Sequence, residues 1–343
     1  MDPDALLELR DIDPAPARCA LWWRQPLQTG GHPGTAPIGR IGRLEAPSTN
    51  SARLLLKHAC RTLRRQGCHS VLAPLDGDTW RPYRVLAPGQ DPREAFAGEP
   101  DLAPAWADWL ADAGFEVRAR YISSLCRDLQ RRRPMAACQG TWRIEPLSAH
   151  PIEALLEPIH RLIVRGFAGQ PLFRAPGLEE FQELWRPWRG LLDRRFSLLA
   201  FDGPELVGLL LAHGAHPGEP TRGACTVVRT LVVRPGRARA GLGRQLLETC
   251  HRRAEEAGSR GVIHALMHEP GPSVALSRPY ARPLRRYWLM GRSLIGPETG
   301  PSGGHPAGPM AACGGEPPGG STLRTPVITV TPGTPMITVT PGT

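Results

Sequence analysis

The chain has 343 residues, which is long enough for about two domains with sizeable hydrophobic cores. Its formal net charge is +10, and because Lys57 is the only lysine, arginine supplies nearly all of the positive charge. The arginines are spread among acidic residues, which does not favour a nucleic-acid partner. The densest basic run, RDLQRRRP at 127–134, is typical of a solvated linker.

Cysteine usage and hydropathy narrow the class further. The eight cysteines are scattered without a C-x-x-C pair, so neither a zinc site nor a disulfide framework is expected. The first residues, MDPDALLELRDIDP, lack the apolar core of a secretion signal, and no run approaches the ~18–20 apolar residues of a membrane span. We therefore expect a cytoplasmic protein that binds neither metal nor membrane.

The first half of the chain is predicted to contain short strands around one amphipathic helix. The expected elements are a loose lead-in over 1–18, strands at Cys19–Arg24 and Ile38–Leu44, a helix over Ala52–Gln66 capped by Ser48 or Thr49, a strand at Cys68–Ala73 and two closing strands within Ala113–Asp128. The run Asp76-Gly77-Asp78 fits a turn with an N-cap better than a metal site.

The second half begins with further strands and helices. Those predicted are a strand at Trp142–Leu147, helices over Ile152–Phe167 and Leu178–Leu192, and strands at Phe196–Phe201 and Glu205–Ala212.

The most informative segment is Thr226–Gly258. Its opening, TVVRTLVVRP, is a near-continuous β-branched run, which predicts a strand covered on both faces and ended by Pro235. An amphipathic helix should follow, because four small or apolar residues recur every four positions, namely Leu242, Leu246, Cys250 and Ala254. Glycines at its start let backbone N–H groups approach an anion, so the sequence predicts a phosphate-binding loop at the helix N-terminus.

This segment resembles the acyl-CoA motif of the GNAT acetyltransferase superfamily, Q/R-x-x-G-x-G/A after a strand that ends in V-x-P. Val233-Arg234-Pro235 matches the strand end and Gly241-x-Gly243 matches the glycines, whereas Ala238 stands where the motif has Gln or Arg. The resemblance implies acetyl-CoA as co-substrate, with its pantetheine arm along the backbone of Leu231, Val232 and Val233. The loop implied at the pyrophosphate comprises Arg237, Ala238, Arg239, Ala240, Gly241, Leu242, Gly243 and Arg244.

The resemblance also implies a base and an acid beside the next strand, predicted at Val262–Met267. His268 or Glu269, at the end of that strand, can accept the proton of an amine directly or through water, and hydrogen-bonding and capping roles are the structural alternative for both. Tyr280 best matches the tyrosine that protonates the leaving thiolate, with Tyr287 as the substitute.

Two further features follow from the resemblance. Pro270-Gly271-Pro272 occupies the region where many superfamily members have Asn. In the superfamily the first two helices and their loop cover the acceptor side of the site, and core packing explains the candidates for that wall equally well. Those candidates are Phe167, Phe173, Phe181 and Trp185.

The order helix, glycine, strand, tyrosine-bearing segment and closing strands occurs in both halves, with Tyr287–Leu294 closing the second. The expected fold is α/β (α+β type), with two tandem GNAT-like units, each a mixed, mainly antiparallel sheet flanked by helices. The first unit has EAPSTNSA where the second has its glycine loop. The predicted organisation is a lead-in over 1–18, a degenerate unit over 19–130, a linker over 131–140, an N-acetyltransferase domain over 141–295 and a disordered tail over 296–343.

The tail ends in a repeat, PVITVTPGT and PMITVTPGT, in which one strand can form. The function implied by the resemblance is transfer of an acetyl group from acetyl-CoA to an amine of an unidentified acceptor. The alternative is a catalytically inactive GNAT-like module that senses acyl-CoA or binds a protein, which Ala238 and the missing Asn favour. The sequence leaves the oligomeric state open.

Overall fold

The structure is a computed structural model that describes residues 1–10, 13, 15–25, 27, 37–90, 95–131, 142–216, 223–235, 241–295 and 327–332. Its strands are β1 (Ala5–Arg10), β2 (Ala17–Trp22), β3 (Ile38–Glu45), β4 (Ser70–Ala73), β5 (Val85–Leu86), β6 (Glu116–Cys126), β7 (Arg143–Pro146), β8 (Leu198–Asp202), β9 (Glu205–Gly214), β10 (Cys225–Val233), β11 (Gly261–Glu269), β12 (Arg282–Ser293) and β13 (Val327–Pro332). Its α-helices are α1 (Thr49–Arg65), α2 (Trp106–Asp112), α3 (Ile152–Phe167), α4 (Leu178–Trp185), α5 (Leu242–Glu256) and α6 (Pro272–Ser277).

These strands form one 13-stranded sheet in the order β13-β1-β2-β3-β4-β12-β6-β11-β10-β9-β8-β7, with β5 paired to β12. Only two of the described pairs are parallel, β3 with β4 and β10 with β11. Each parallel pair is joined by a helix, α1 in the first half and α5 in the second. The unit of an antiparallel strand followed by a βαβ crossover therefore occurs twice, which confirms the expected tandem α+β fold.

The closing strands of the two halves are exchanged. β6, from the first half, pairs with β11, whereas β12, from the second half, pairs with β4. The two exchanged strands also pair with each other at the centre of the sheet, where Tyr287 lies opposite Tyr121. The expectation that Tyr287–Leu294 closes the second unit is thus wrong, because β12 pairs with β4, β5 and β6, which all come from the first half.

Helix α1 shows why the local sequence folds as predicted. The side chain of Ser48 accepts a hydrogen bond from the backbone N–H of Ser51, and the Ser51 side chain accepts one from the backbone N–H of Ser48, so this capping box satisfies two backbone donors. Leu55, Ala59 and Leu63 are fully buried at helical spacing against β1–β3. The equivalent face of α5 packs on β8, β9 and β10 through Leu246 and Cys250.

Three secondary-structure expectations need correction. Residues 1–18 are not a loose lead-in, because Ala5, Leu7 and Leu9 alternate as buried residues of β1. The segment Ala113–Asp128 contains one strand, β6, where two were expected, and α2 precedes it. In the tail, which was expected to be disordered, residues 327–332 form β13 and pair with β1, and the rest of 296–343 lies outside the described residues.

The predicted domain boundaries remain predictions. β1 lies before the predicted start of the first unit at residue 19, and each of the exchanged strands β6 and β12 pairs with strands of the other half. None of the described helices combines the length and the apolar character needed to cross a membrane.

Candidate active site

The site begins where two parallel strands separate. β10 and β11 are paired from Cys225 opposite Gly261 to Val228 opposite His264, after which the described residues show no pairing between them. Both strands continue, β10 to Val233 and β11 to Glu269. A bulge in β10 falls between Val228 and Thr230, and in β11 Leu266 adopts φ +57, so each strand bends at the same level. The strands consequently open a cleft between their C-terminal ends.

This cleft is part of a cavity of about 310 Å³. The second half supplies the edges of β10 and β11 and the four aromatic residues expected as an acceptor wall, all of which line the cavity. The first half supplies Thr79, Trp80, Tyr83, Arg84 and Tyr121. Tyr121 reaches the cavity because its strand, β6, is the exchanged neighbour of β11.

The aromatic wall joins the two halves. The ring of Trp80 lies 5.8 Å from that of Phe173 and 5.9 Å from that of Phe181, in tilted and edge-on contacts. The indole N–H of Trp80 donates to the carbonyl oxygen of Arg174 at 2.8 Å. These contacts fix the loop between α3 and α4 against the first half.

Asp78 anchors the same junction. Its side chain is fully buried, and its Oδ2 accepts from Arg81 Nη1 at 2.9 Å and from Arg174 Nη2 at 2.7 Å. Its Oδ1 accepts from the backbone N–H of Trp80 at 3.1 Å, which is the turn geometry expected for this run. Glu180 pairs with Arg174 from the other side, so an arginine–carboxylate network around the buried Asp78 holds the loop.

Arg84 projects into the cavity from a strained backbone position with φ +82. Its guanidinium stacks over the rings of Tyr83 and Tyr121, at 3.8 Å and 4.1 Å from their centroids. Nη1 donates to the Leu266 carbonyl oxygen at 3.4 Å, Nη2 donates to the Tyr83 hydroxyl, and Nε has no partner among the described residues. Burial lowers the pKa of Arg84 to about 9.

A second arginine, Arg229 on β10, lines the cavity. Its guanidinium lies 3.5 Å from the ring centroid of Trp188, and Nη1 donates to the Gly98 carbonyl oxygen at 3.3 Å. Burial lowers the pKa of Arg229 to about 10. Two arginines from opposite halves therefore face one apolar space.

Two buried histidines are in contact at the cavity, where His264 belongs to the lining and His251 does not. His264 Nε2 is 2.9 Å from His251 Nε2, and His264 Nδ1 is 2.7 Å from the Ser277 hydroxyl oxygen. Burial, together with the neighbouring His251, lowers the pKa of His264 to about 3. A neutral His264 fits this contact, because one of the two Nε2 atoms must accept the hydrogen bond.

Of the residues predicted to act in catalysis, the structure brings His268 to the cavity. Its ring lies 5.3 Å from that of Tyr121, with which it is in register on the neighbouring strand. Glu269 follows at the end of β11 and is partly buried outside the lining.

Tyr280 lies apart from that lining. It packs in the core behind α5, where its hydroxyl donates to Glu248 Oε1 and its ring meets His251 edge-on at 5.6 Å. The substitute, Tyr287, is fully buried in β12 and donates to Glu99. Burial raises the pKa of Tyr287.

The predicted phosphate loop is described in part. Arg237, Ala238, Arg239 and Ala240 lie outside the described residues. Gly241 is the N-cap of α5 with φ +87, and a Cβ there would meet open space. A Cβ on Gly243 would lie 3.5 Å from Leu231 Cδ2, an ordinary contact, while Leu242 is buried in the core and Arg244 follows in the first turn.

Among the described residues, the predicted pantetheine contacts Leu231, Val232 and Val233 pair only with β9. Backbone N–H and C=O groups along a strand point alternately to its two sides. Some of these groups in Leu231, Val232 and Val233 therefore face the cleft.

Local sequence patterns missed most of the residues that shape this cavity. Arg84, Tyr121 and Arg229 come from three separate segments, and no short-range spacing marks them. The exchange of β6 places Tyr121 beside β11 of the second half. In the described part of the chain, no group of three or more His, Cys, Asp or Glu side chains is arranged to hold a metal ion.

Comparison with known proteins gives one family match. Residues 164–274 match the model of the acetyltransferase (GNAT) family. No curated protein matches the chain.

Three solved structures are similar in fold. A glucosamine N-acetyltransferase region of a fungal multi-domain GH3 β-N-acetylglucosaminidase is 12% identical with a TM-score of 0.51, and the match covers 85% of this chain and 33% of that one. A tandem GNAT protein from the clavulanic acid biosynthesis pathway is 17% identical, covering 87% and 86%, with a TM-score of 0.44. A GCN5-related N-acetyltransferase from Sphaerobacter thermophilus is 13% identical, covering 81% and 76%, with a TM-score of 0.46. At these identities the likeness concerns the fold alone.

Proposed function

We propose that the chain transfers an acetyl group from acetyl-CoA to an amine, because residues 164–274 match the model of the GNAT acetyltransferase family. The separation of β10 from β11 carries this proposal. It leaves backbone groups of Leu231–Val233 facing the cleft between the two strands. An amide-bearing arm can pair with such groups as an extra strand does. The backbone N–H groups at the N-terminus of α5, which begins after Gly241, are the proposed site of the pyrophosphate.

The chemistry needs a neutral amine beside the thioester carbonyl. The amine nitrogen attacks the carbonyl carbon, the C–S bond breaks, and the acetyl group ends on nitrogen with CoA leaving as a thiolate. His268 is the proposed base, since its ring is at the cavity and can take the amine's proton. Glu269 is the proposed alternative, acting through water. The CoA thiolate then takes up a proton. Tyr280 is the residue predicted from the sequence to donate it.

The bound acetyl-CoA would be fixed by α5, β10 and β11, which belong to one half. The amine would enter from the aromatic side, whose wall belongs to both halves. Holding both reactants in one desolvated space is itself a large part of the catalysis, because it removes the entropy of bringing them together.

A turnover assay on the full chain tests the proposal. The chain is supplied with acetyl-CoA and a panel of primary amines, with thiol release and product mass followed in parallel. We expect an acetylated amine to form, and we expect His268→Gln to reduce turnover by about a hundredfold. His58→Gln, on α1 outside the cavity lining, is the matched control and should change nothing. Binding of acetyl-CoA without turnover of any amine would contradict the proposal and leave a sensing module.

A further inference from the structure

The cavity has an unusual charge balance. Its described lining includes Arg84, Arg229, His264 and His268, and contains no Asp or Glu. Most of the remaining lining is aromatic or aliphatic. A cavity with this lining attracts an anionic group of a ligand and repels a cationic one.

Of the two arginines, Arg84 contributes the more deeply buried positive charge. Only 8% of the residue is exposed, and no carboxylate pairs with it in the described part of the chain. Its Nε is buried without a hydrogen-bond partner. A buried guanidinium in this state is costly unless a ligand supplies the missing negative charge.

Arg229 makes the imbalance larger. Its positive charge is close enough to lower the pKa of Arg84 further. Its own hydrogen bond goes to a neutral carbonyl oxygen and its flat face to an indole ring. Both guanidinium groups face the same cavity, so an anionic group of a ligand bound there is attracted by two arginines.

The other lining residues of the cavity indicate the chemistry of the rest of the ligand. Trp80, Phe173, Phe181 and Trp188 give flat apolar walls, and the volume of about 310 Å³ is at the small end of the range for ligand pockets. An amine with an aromatic or branched aliphatic body fits these walls. A polycationic acceptor, such as an aminoglycoside or polyamine, would place further positive charge beside the two arginines.

We propose, resting on the acetyltransferase function above, that the acceptor is an amine with an apolar body and a carboxylate, and that Arg84 and Arg229 bind this carboxylate. Apolar α-amino acids are the simplest compounds of this class. Arg84 is then a specificity-determining residue supplied by the first half to a reaction in the second. The first half thus acts as half of the acceptor site even though it has no glycine loop.

Direct binding tests this inference without requiring turnover. N-acetyl-L-phenylalanine carries the carboxylate, and N-acetyl-L-phenylalaninamide replaces it by a neutral group of the same shape. Isothermal titration calorimetry on the full chain should find the carboxylate bound about ten- to a hundredfold more tightly, the range expected for hydrogen bonds to a charged group. Arg84→Gln and, separately, Arg229→Gln should remove most of this difference.

The control is Arg161→Gln, which makes the same charge change at an exposed ion pair on α3 and should leave the preference intact. Equal affinity for the two ligands, or binding of neither, would overturn the inference, as would a preference that survives both arginine substitutions in folded protein. The carboxylate preference is measured independently of acetyl transfer, so the two proposals can fail separately. A carboxylate preference in a chain that never acetylates an amine would support the anion site and contradict the acetyltransferase.

Discussion

Arg84 Nη1 lies 3.4 Å from the carbonyl oxygen of Leu266, joining residues 182 positions apart in the sequence. Leu266 is the point at which β11 leaves its regular conformation, with φ +57. The first half of the chain therefore contacts the second at the position where the cleft between β10 and β11 has opened. This contact is part of the candidate site as well as of the interface between the halves.

Asp78 is predicted to be essential for joining the two halves. Asp78→Ala leaves Arg81 and Arg174 without this fully buried carboxylate, so we expect the free energy of unfolding to fall by about 3–5 kcal/mol. The measurement is urea unfolding of the full chain. Glu183→Gln removes an exposed partner of Arg186 and should change stability by less than about 1 kcal/mol. A similar effect for both substitutions would show that the Asp78 network contributes no more than a surface pair.

Gly166 is predicted to set the spacing between α3 and β10. A Cβ at this position would overlap Val232 Cγ2, so Gly166→Ala should force the helix and strand apart and destabilise the fold by about 1–3 kcal/mol. Thermal unfolding and acetyl-CoA affinity are measured together, because Val232 is a proposed pantetheine contact. Gly169→Ala is the control, since a Cβ there meets nothing within 4 Å. Equal stability of the two variants would contradict the tight packing.

His264 is predicted to make stability dependent on pH. Its pKa is about 3 in the folded chain and about 6.5 in an unfolded one, so between these values the unfolded state binds the additional proton. Stability is thus fully present above about pH 6.5 and falls as the pH drops towards 3, by at most about 1.4 kcal/mol per pH unit from this group. Urea unfolding at several pH values should give a shallower slope for His264→Gln than for the unsubstituted chain. Identical slopes would show that His264 is not held neutral.

Gly241 is predicted to control acetyl-CoA binding. Gly241→Glu places a negative charge at the start of α5, in the open space where the pyrophosphate is proposed, and should abolish measurable binding. Gly241→Ala introduces the same strain at φ +87 without the charge, so it should lower stability by about 1 kcal/mol and retain binding. Loss of binding in both variants would assign the effect to backbone strain.

Tyr280 is predicted from the sequence as the acid that protonates the thiolate, and Tyr280→Phe tests this role. The hydroxyl donates to Glu248 behind α5 and is not at the cavity lining, so the geometry predicts a decrease in turnover of less than about tenfold. A decrease of a hundredfold or more at unchanged stability would establish Tyr280 as the acid, and would require its side chain to reach the thiolate during the reaction. Thermal unfolding of the variant separates the two effects.

The parts of the fold that depend on local pattern were predictable from the sequence. The β-branched run of β10 and the four-residue spacing on α5 gave a strand and a helix near their observed bounds. Ser48 capped α1 as one of the two expected candidates. The alternation of Ala5, Leu7 and Leu9 also indicates the strand β1. The polar residues around it led to the prediction of a lead-in instead.

The parts that depend on distant pairing were not predictable in this way. β6 and β12 are both long strands, and their sequences do not specify which half each joins, because the choice depends on neighbouring strands far along the chain. The exchange brings Tyr121 next to His268, and the loop that carries Arg84 reaches the cavity from the same half. Neither arginine of the cavity has a local pattern that distinguishes it from the many solvent-exposed arginines.

The central claim is that the chain has one acyl-CoA site, formed by β10, β11 and the start of α5. Isothermal titration of acetyl-CoA into the full chain measures this directly. We predict saturable binding with one site per chain, since the first half has no glycine loop before α1. Absence of binding to a folded sample, or a stoichiometry of two per chain, would contradict the account.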